Sequence, residues 1–94
     1  MSHTPGPWEV YGPVDLDYWI IYRYPNGYDQ HVATAHWNHP EDYSVVLNNA
    51  HIIAAAPEML EVLEALVSMV DSGDYRQEIL DLAEAAIRKA RGEV

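Results

Sequence analysis

Residues 18–27 read YWIIYRYPNG, and this stretch decides the fold of the 94-residue chain. Successive side chains of a strand point to opposite faces, and both faces of residues 18–24 are largely apolar. The segment is therefore predicted to be the central strand of a sheet. Pro25-Asn26-Gly27 predicts a tight turn directly after it, because Asn-Gly adopts positive φ at little cost.

Strands are predicted on both sides of this stretch. The first covers residues 8–11 and ends at Gly12-Pro13, because Pro and Gly interrupt a strand ladder. The third runs from about Asp29 to Trp37, and strict alternation places His31 on the same face as Ala33 and Ala35. The prediction is a three-stranded antiparallel meander over about residues 7–37.

The second half of the chain, about residues 43–91, has helical spacing of its apolar residues. Asp42 is predicted to cap a helix from Tyr43 to about Ala56, since helices end before a proline. A second helix is predicted from Pro57 to about Val70, and a third from about Tyr75 to Arg91. The fold class is α+β: one domain, residues 1–94, with two to three helices packed on one face of the meander.

The net charge of −10 results from 15 acidic and five basic residues. This balance argues against direct binding of DNA or RNA, which requires many Lys and Arg. It is explained either by solubility or by attraction to a basic protein that normally binds nucleic acid. The predicted acidic partner surface comprises Glu58, Glu61, Glu64, Asp71, Asp74, Glu78, Asp81 and Glu84.

Several other classes of protein are disfavoured by the sequence. There is no cysteine, and no run of about 18 apolar residues that would span a membrane. The N-terminus lacks the charged and apolar regions of a signal peptide, so a cytoplasmic location is expected. No nucleophile–base motif or phosphate-binding glycine loop is present, so neither enzymatic activity nor a cofactor is expected.

His36 and His39 have H-x-x-H spacing, which makes them candidate metal ligands. His31 and His51, with an oxygen from Glu41 or Asp42, complete the candidate set. The spacing matches no zinc motif, and tetrahedral zinc needs three or four converging ligands. The prediction is that no metal is bound.

Two surfaces are predicted to contact partners or ligands. The apolar arc of the second helix is wider than one core contact requires, which favours a two-fold homodimer. Its predicted interface residues are Met59, Leu63, Leu66 and Val70. The chain also has seven Tyr, three Trp and no Phe, which suits a half-exposed sheet face that stacks on a nucleotide. The predicted stacking residues are Trp19, Tyr22, Tyr24 and Trp37.

Two motifs resemble those of small proteins encoded by bacteriophages and prophages. They are HTPGPW at residues 3–8 and NAHIIAAAPEML at residues 49–60, with Glu61-Val62-Leu63-Glu64-Ala65-Leu66 continuing the second. The resemblance implies a bacterial cytoplasm during infection or lysogeny. Small accessory phage proteins often disarm host defences, for example as anti-CRISPR inhibitors that occlude a nuclease or as proteins that sequester a signalling nucleotide. A virion or replication accessory is the further alternative.

Overall fold

The computed structural model describes residues 3–38 and 42–93. Three strands are followed by three helices, so the predicted α+β class and element order are confirmed. The elements are β1 (Glu9–Val14), β2 (Asp17–Arg23), β3 (Asp29–Ala35), α1 (Tyr43–Ala54), α2 (Ala56–Ser72) and α3 (Gln77–Ala90).

The sheet is an antiparallel meander in the order β1-β2-β3, so β2 is the central strand as predicted. The turn after β2 also forms as predicted: the Gly27 N–H donates to the Tyr24 carbonyl at 2.9 Å, and Gly27 has a φ of +88°. The Asn26 side chain accepts from the Tyr28 N–H at 3.0 Å. The dipeptide that predicted the turn therefore supplies both its backbone geometry and its side-chain hydrogen bond.

The first strand is longer than predicted. It continues through Gly12-Pro13 to Val14, and its register with β2 shifts between Tyr11 and Val14. Gly12 adopts a φ of +136°, which glycine alone accepts without strain. Because β1 is an edge strand, a proline that cannot donate to the ladder is tolerated there.

β3 contains a bulge, and the prediction that His31 shares a face with Ala33 is wrong. Ile20 pairs with Ala33 but Ile21 pairs with His31, so Val32 is an extra residue on β3. A one-residue insertion moves the side chains beyond it to the other face. His31 therefore lies on the outer face of the sheet, opposite to Ala33.

Helix α1 covers the inner face of the sheet and completes the core. Val46, Ala50 and Ala54 of α1 are buried together with Tyr18 and Ile20 of β2. As predicted, Asp42 caps α1: its side chain accepts from the Ser44 N–H at 2.8 Å. Ile20 and Val46 are the largest fully buried side chains among the described residues, so the core is small.

The helix boundaries differ from the prediction by a few residues. α1 and α2 meet at Ala55, one residue earlier than predicted, and α2 continues to Ser72 before Gly73 ends it with a φ of +69°. Ala54 and Ala55 are buried, which shows that the small residues of this corner serve close packing. α3 begins later than predicted, at Gln77.

The α2–α3 hairpin gives the molecule an elongated shape. α2 packs on α3, and within the described residues neither makes a close backbone approach to the strands, which α1 alone contacts. The radius of gyration is 15.3 Å, against about 12 Å for a compact chain of this length. The hairpin therefore extends beyond the sheet and is joined to the sheet–α1 body by the packing of α3 on α1.

Candidate functional site

One part of the apolar arc of α2 packs against α3, and the other part is exposed to solvent. α2 buries Val62 in its contact region with α3. Of the predicted interface residues, Met59 and Leu66 are partly buried, whereas Leu63 and Val70 are 60% and 75% exposed. The large exposed apolar side chains of α2 are Leu60, Leu63, Val67 and Val70. The homodimer stays a prediction. The apolar surface of α2 that any partner can reach consists of these four side chains.

The eight predicted acidic residues have different environments. The Glu78 carboxylate lies 2.7 Å from Arg76, and this hydrogen bond lowers the pKa of Glu78 below its usual value. Asp81 accepts from the Gln77 side chain at 3.2 Å. Six of the eight are exposed and have no ion-pair partner within residues 3–38 and 42–93: Glu61, Glu64, Asp71, Asp74, Asp81 and Glu84.

Glu58 has a structural role in the hairpin. Its Oε1 accepts from Lys89 Nζ at 2.7 Å, and each of the two side chains is about 30% exposed. Glu58 lies in the first turn of α2 and Lys89 in the last turn of α3, where each charge complements its helix dipole. The pair therefore joins the two helices at the base of the hairpin.

The four predicted stacking residues do not form one site. Trp19 lies on the outer face of the sheet, whereas Trp37 packs against the core on the inner side. Tyr22 and Tyr24 contact each other edge to face at 4.9 Å, near the turn between β2 and β3. Rings placed on opposite faces cannot stack on the same ligand.

An aromatic row on the outer face includes two residues that sequence reasoning missed. The His31 imidazole stacks on Trp19 with ring centroids 4.9 Å apart, and Tyr11 lies 6.0 Å from Trp19 on the other side. Ile21 shares this face and is only 3% exposed. The row therefore covers an apolar side chain on the face of the sheet opposite to α1. The bulge that turns His31 outwards gave no signal in the sequence.

Asp17 joins the start of β2 to the end of β3. Its carboxylate accepts from the Trp37 N–H at 2.8 Å and lies 3.1 Å from His36 Nδ1. The Trp37 backbone hydrogen bond and, secondly, His36 lower the pKa of Asp17 below its usual value. Asp17 is therefore a structural carboxylate, and Asp15, in the adjacent turn, is exposed to solvent.

Replacing Asp17 by Asn is expected to lower the melting temperature at pH 7. A carboxyl whose pKa is lowered by folding stabilises the fold above its unfolded pKa of about 3.9, and this contribution is lost as the pH falls through the folded value. The difference between Asp17→Asn and the parent should therefore shrink between pH 5 and strongly acidic solution. Asp15→Asn is the control, and an Asp17→Asn deficit independent of pH would contradict this assignment.

The structure contains a cleft that the sequence did not predict. It lies between β1, the end of α1 and the end of α3, and has a volume of about 600 Å³. Trp8, Val10 and Ala54 supply apolar lining, and Arg88 and Lys89 add positive charge. Two of the five basic residues thus line the same cleft as the Trp8 side chain, and so do the acids Glu9 and Glu93. Residues 8 and 88 are distant in sequence, so no local pattern could indicate it.

The histidines of the described segments are not gathered into a metal site. Within residues 3–38 and 42–93, no group of three His, Cys, Asp or Glu side chains is placed to hold a metal ion. His39 and Glu41, which belong to the candidate set, lie outside the described residues. In the same part of the chain, no helix combines the length and apolar character needed to cross a bilayer.

The two sequence motifs meet in the structure. A Cβ atom added to Gly6 would lie 2.8 Å from Pro57 Cβ, so only glycine allows the HTPGPW segment to approach the start of α2 this closely. Trp8 Nε1 donates to the carbonyls of Thr4 and Pro5 at 3.2 and 3.1 Å. Both motifs therefore help to fix the base of the hairpin.

Comparison with known proteins places the chain in a phage setting. No curated protein and no solved structure was found that matches it. A family model described as Salmonella phage P22 protein Y8K6 matches residues 1–94, the whole chain. This match confirms the resemblance to phage-encoded proteins. The chain belongs to the family of Salmonella phage P22 protein Y8K6.

Proposed function

We propose that this phage-family protein acts by binding, and that it inhibits a host defence system by occluding a basic, nucleic-acid-binding protein in the host cytoplasm. The observation that supports this proposal is the acidic surface of the α2–α3 hairpin. Six of its carboxylates are exposed and have no ion-pair partner within the described segments of the chain. Such a surface offers a basic groove the charge that it normally receives from phosphates.

The acidic surface is concentrated on α2. Ala56–Ser72 contains four acids and no Lys, Arg or His. Glu61, Glu64 and Asp71 are exposed along it. Charge of one sign on a projecting helix attracts a basic partner over a distance and accelerates their association, an effect that salt weakens.

The position of the hairpin also supports binding to a groove. At about 1.5 Å per residue, the 17 residues of α2 extend for about 25 Å. α3 packs against α1 as well as against α2, so the exposed residues of α2 form the side of the hairpin that is open to contact. A helix of this length can lie along a groove of a partner protein.

Neutralising two carboxylates tests this function in infection. Phage carrying Glu61→Gln/Glu64→Gln should form plaques at least about tenfold less efficiently than the parent phage on a host with the sensitive defence system, because the partner is bound more weakly. Asn48→Lys/Asn49→Lys is the matched control: both positions are exposed on α1, and either double variant changes the net charge by two.

Two results would contradict the proposal. One is full activity of Glu61→Gln/Glu64→Gln against the defended host. The other is a growth defect of a gene-deletion phage in a host stripped of defence systems, which would favour a virion or replication role.

A second candidate function, binding of a small nucleotide, is supported by the cleft at Trp8. An indole ring stacks on a base, the Arg88 side chain can approach a phosphate, and about 600 Å³ is in the range of ligand sites. Calorimetry with mononucleotides and cyclic nucleotides tests it. Heat that Arg88→Ala abolishes supports this candidate, and absence of heat with every nucleotide removes it.

A further inference from the structure

The exposed apolar side chains of α2 form one line, which we call the apolar row. It consists of Leu60, Leu63, Val67 and Val70, whose exposed fractions are 44%, 60%, 61% and 75%. Their spacing of three, four and three residues keeps them on one side of the helix over about 15 Å. Large apolar side chains exposed together mark a surface that a partner covers.

Carboxylates border the apolar row on one side. Glu64 and Asp71 follow Leu60 and Val67 by one helical turn, so they lie beside the row. Both acids are exposed, and together with Leu63 and Val67 they line one shallow hollow of the surface. No positive side chain of α2 offsets their charge. The surface is therefore apolar along its centre and negative along one border.

A second copy of the chain fits this surface poorly. If the apolar row is treated as a coiled-coil seam, Glu64 and Asp71 occupy equivalent flanking positions, one heptad apart. In an antiparallel pair of copies these flanking acids would face each other, and like charges in such positions repel. The net charge of −10 adds repulsion at longer range.

We propose that the apolar row binds an amphipathic helix of a host protein whose apolar stripe is bordered by Lys or Arg. Residues spaced three and four apart form the ridges that pack against another helix, and helix-in-groove recognition uses anchors at the same spacing. The carboxylates at the border pair with the cations of the partner helix. The inference rests on the proposed function in taking the partner to be a basic host protein.

Two synthetic helical peptides test the inference with the full chain. They share one apolar heptad stripe, and the bordering positions carry Lys in one peptide and Glu in the other. Fluorescence anisotropy should show the Lys peptide binding at least about tenfold more tightly than the Glu peptide. Leu63→Ser/Val67→Ser should weaken the Lys peptide by about tenfold or more, because apolar anchors carry much of such binding energy.

The matched control for the serine variant is Ile52→Ser. Ile52 is 53% exposed on α1, away from the apolar row, and its replacement should leave the affinity of the Lys peptide unchanged. Circular dichroism of all variants establishes that they keep the fold. A loss of affinity confined to Leu63→Ser/Val67→Ser supports docking on the apolar row.

Two outcomes would overturn the inference, and neither depends on the plaque assay. If Leu63→Ser/Val67→Ser bound the Lys peptide as tightly as the parent, binding would rest on charge alone, and the proposed acidic surface would stand without a docked helix. If light scattering found a dimer at micromolar concentration that this variant dissociates, the apolar row would belong to a second copy. Failure of the proposed function is read separately, from Glu61→Gln/Glu64→Gln in infection.

Discussion

Replacing Ile20 by alanine is expected to lower the free energy of unfolding by about 3 kcal/mol, because the deletion leaves a cavity beneath α1. Ile20 has no exposed surface, lies on the central strand and belongs to the same buried cluster as Val46. A chain of this length has about 5–14 kcal/mol of stability in total, so the variant should also melt at least about 10 °C lower. Urea unfolding followed by circular dichroism measures the change.

The same substitution at Ile52 provides the matched control. Ile52 is 53% exposed on α1, so Ile52→Ala removes the same atoms without opening a cavity and should change the free energy by less than about 1 kcal/mol. Equal losses for Ile20→Ala and Ile52→Ala would show that the core does not lie between β2 and α1. The comparison of the two variants tests this core because α1, and not the hairpin, packs on the strands.

Sequence patterns predicted those parts of the fold that depend on interactions between neighbouring residues. The apolar faces of residues 18–24, the Pro25-Asn26-Gly27 turn and the Asp42 cap each depend on neighbouring residues, and each forms as predicted. The bulge at Val32 arises from the pairing of two whole strands, so alternation along β3 alone assigned His31 to the wrong face. Likewise, Gly12-Pro13 predicted the end of β1, but the strand continues through it because a sheet edge tolerates proline.

The binding surface was predictable in outline only. The sequence shows that the apolar arc of α2 is too wide for one contact, but the position of α3 decides which part remains exposed. Met59 and Leu66 were assigned to the same interface as Leu63 and Val70, yet the first two are partly buried and the last two are open. Long-range packing also separated the stacking residues, placing Trp19 and Trp37 on opposite sides of the sheet.

Replacing Lys89 by methionine is expected to destabilise the hairpin by about 2 kcal/mol. The loss arises chiefly from Glu58, whose carboxylate would be left without its partner in a position that is only about 30% exposed. Glu58 Oε2 already has no hydrogen-bond partner among the described residues, so the parent depends on the single 2.7 Å contact of Oε1. The expected loss is smaller than the 3–5 kcal/mol typical of fully buried pairs, because roughly a third of each side chain meets solvent.

A double-mutant cycle separates the lost contact from the stranded charge. Glu58→Gln removes the charge and nearly keeps the shape, so Glu58→Gln/Lys89→Met should recover about half of the stability that Lys89→Met loses. If the double variant is as unstable as Lys89→Met, the apolar stem of Lys89 is what matters and the ion pair contributes little. If the cycle behaves as expected, the pair fixes the base of the hairpin. Lys89→Met should then also weaken binding of the Lys peptide, although Lys89 lies outside the apolar row, because a hairpin that opens no longer presents its exposed residues on one rigid surface.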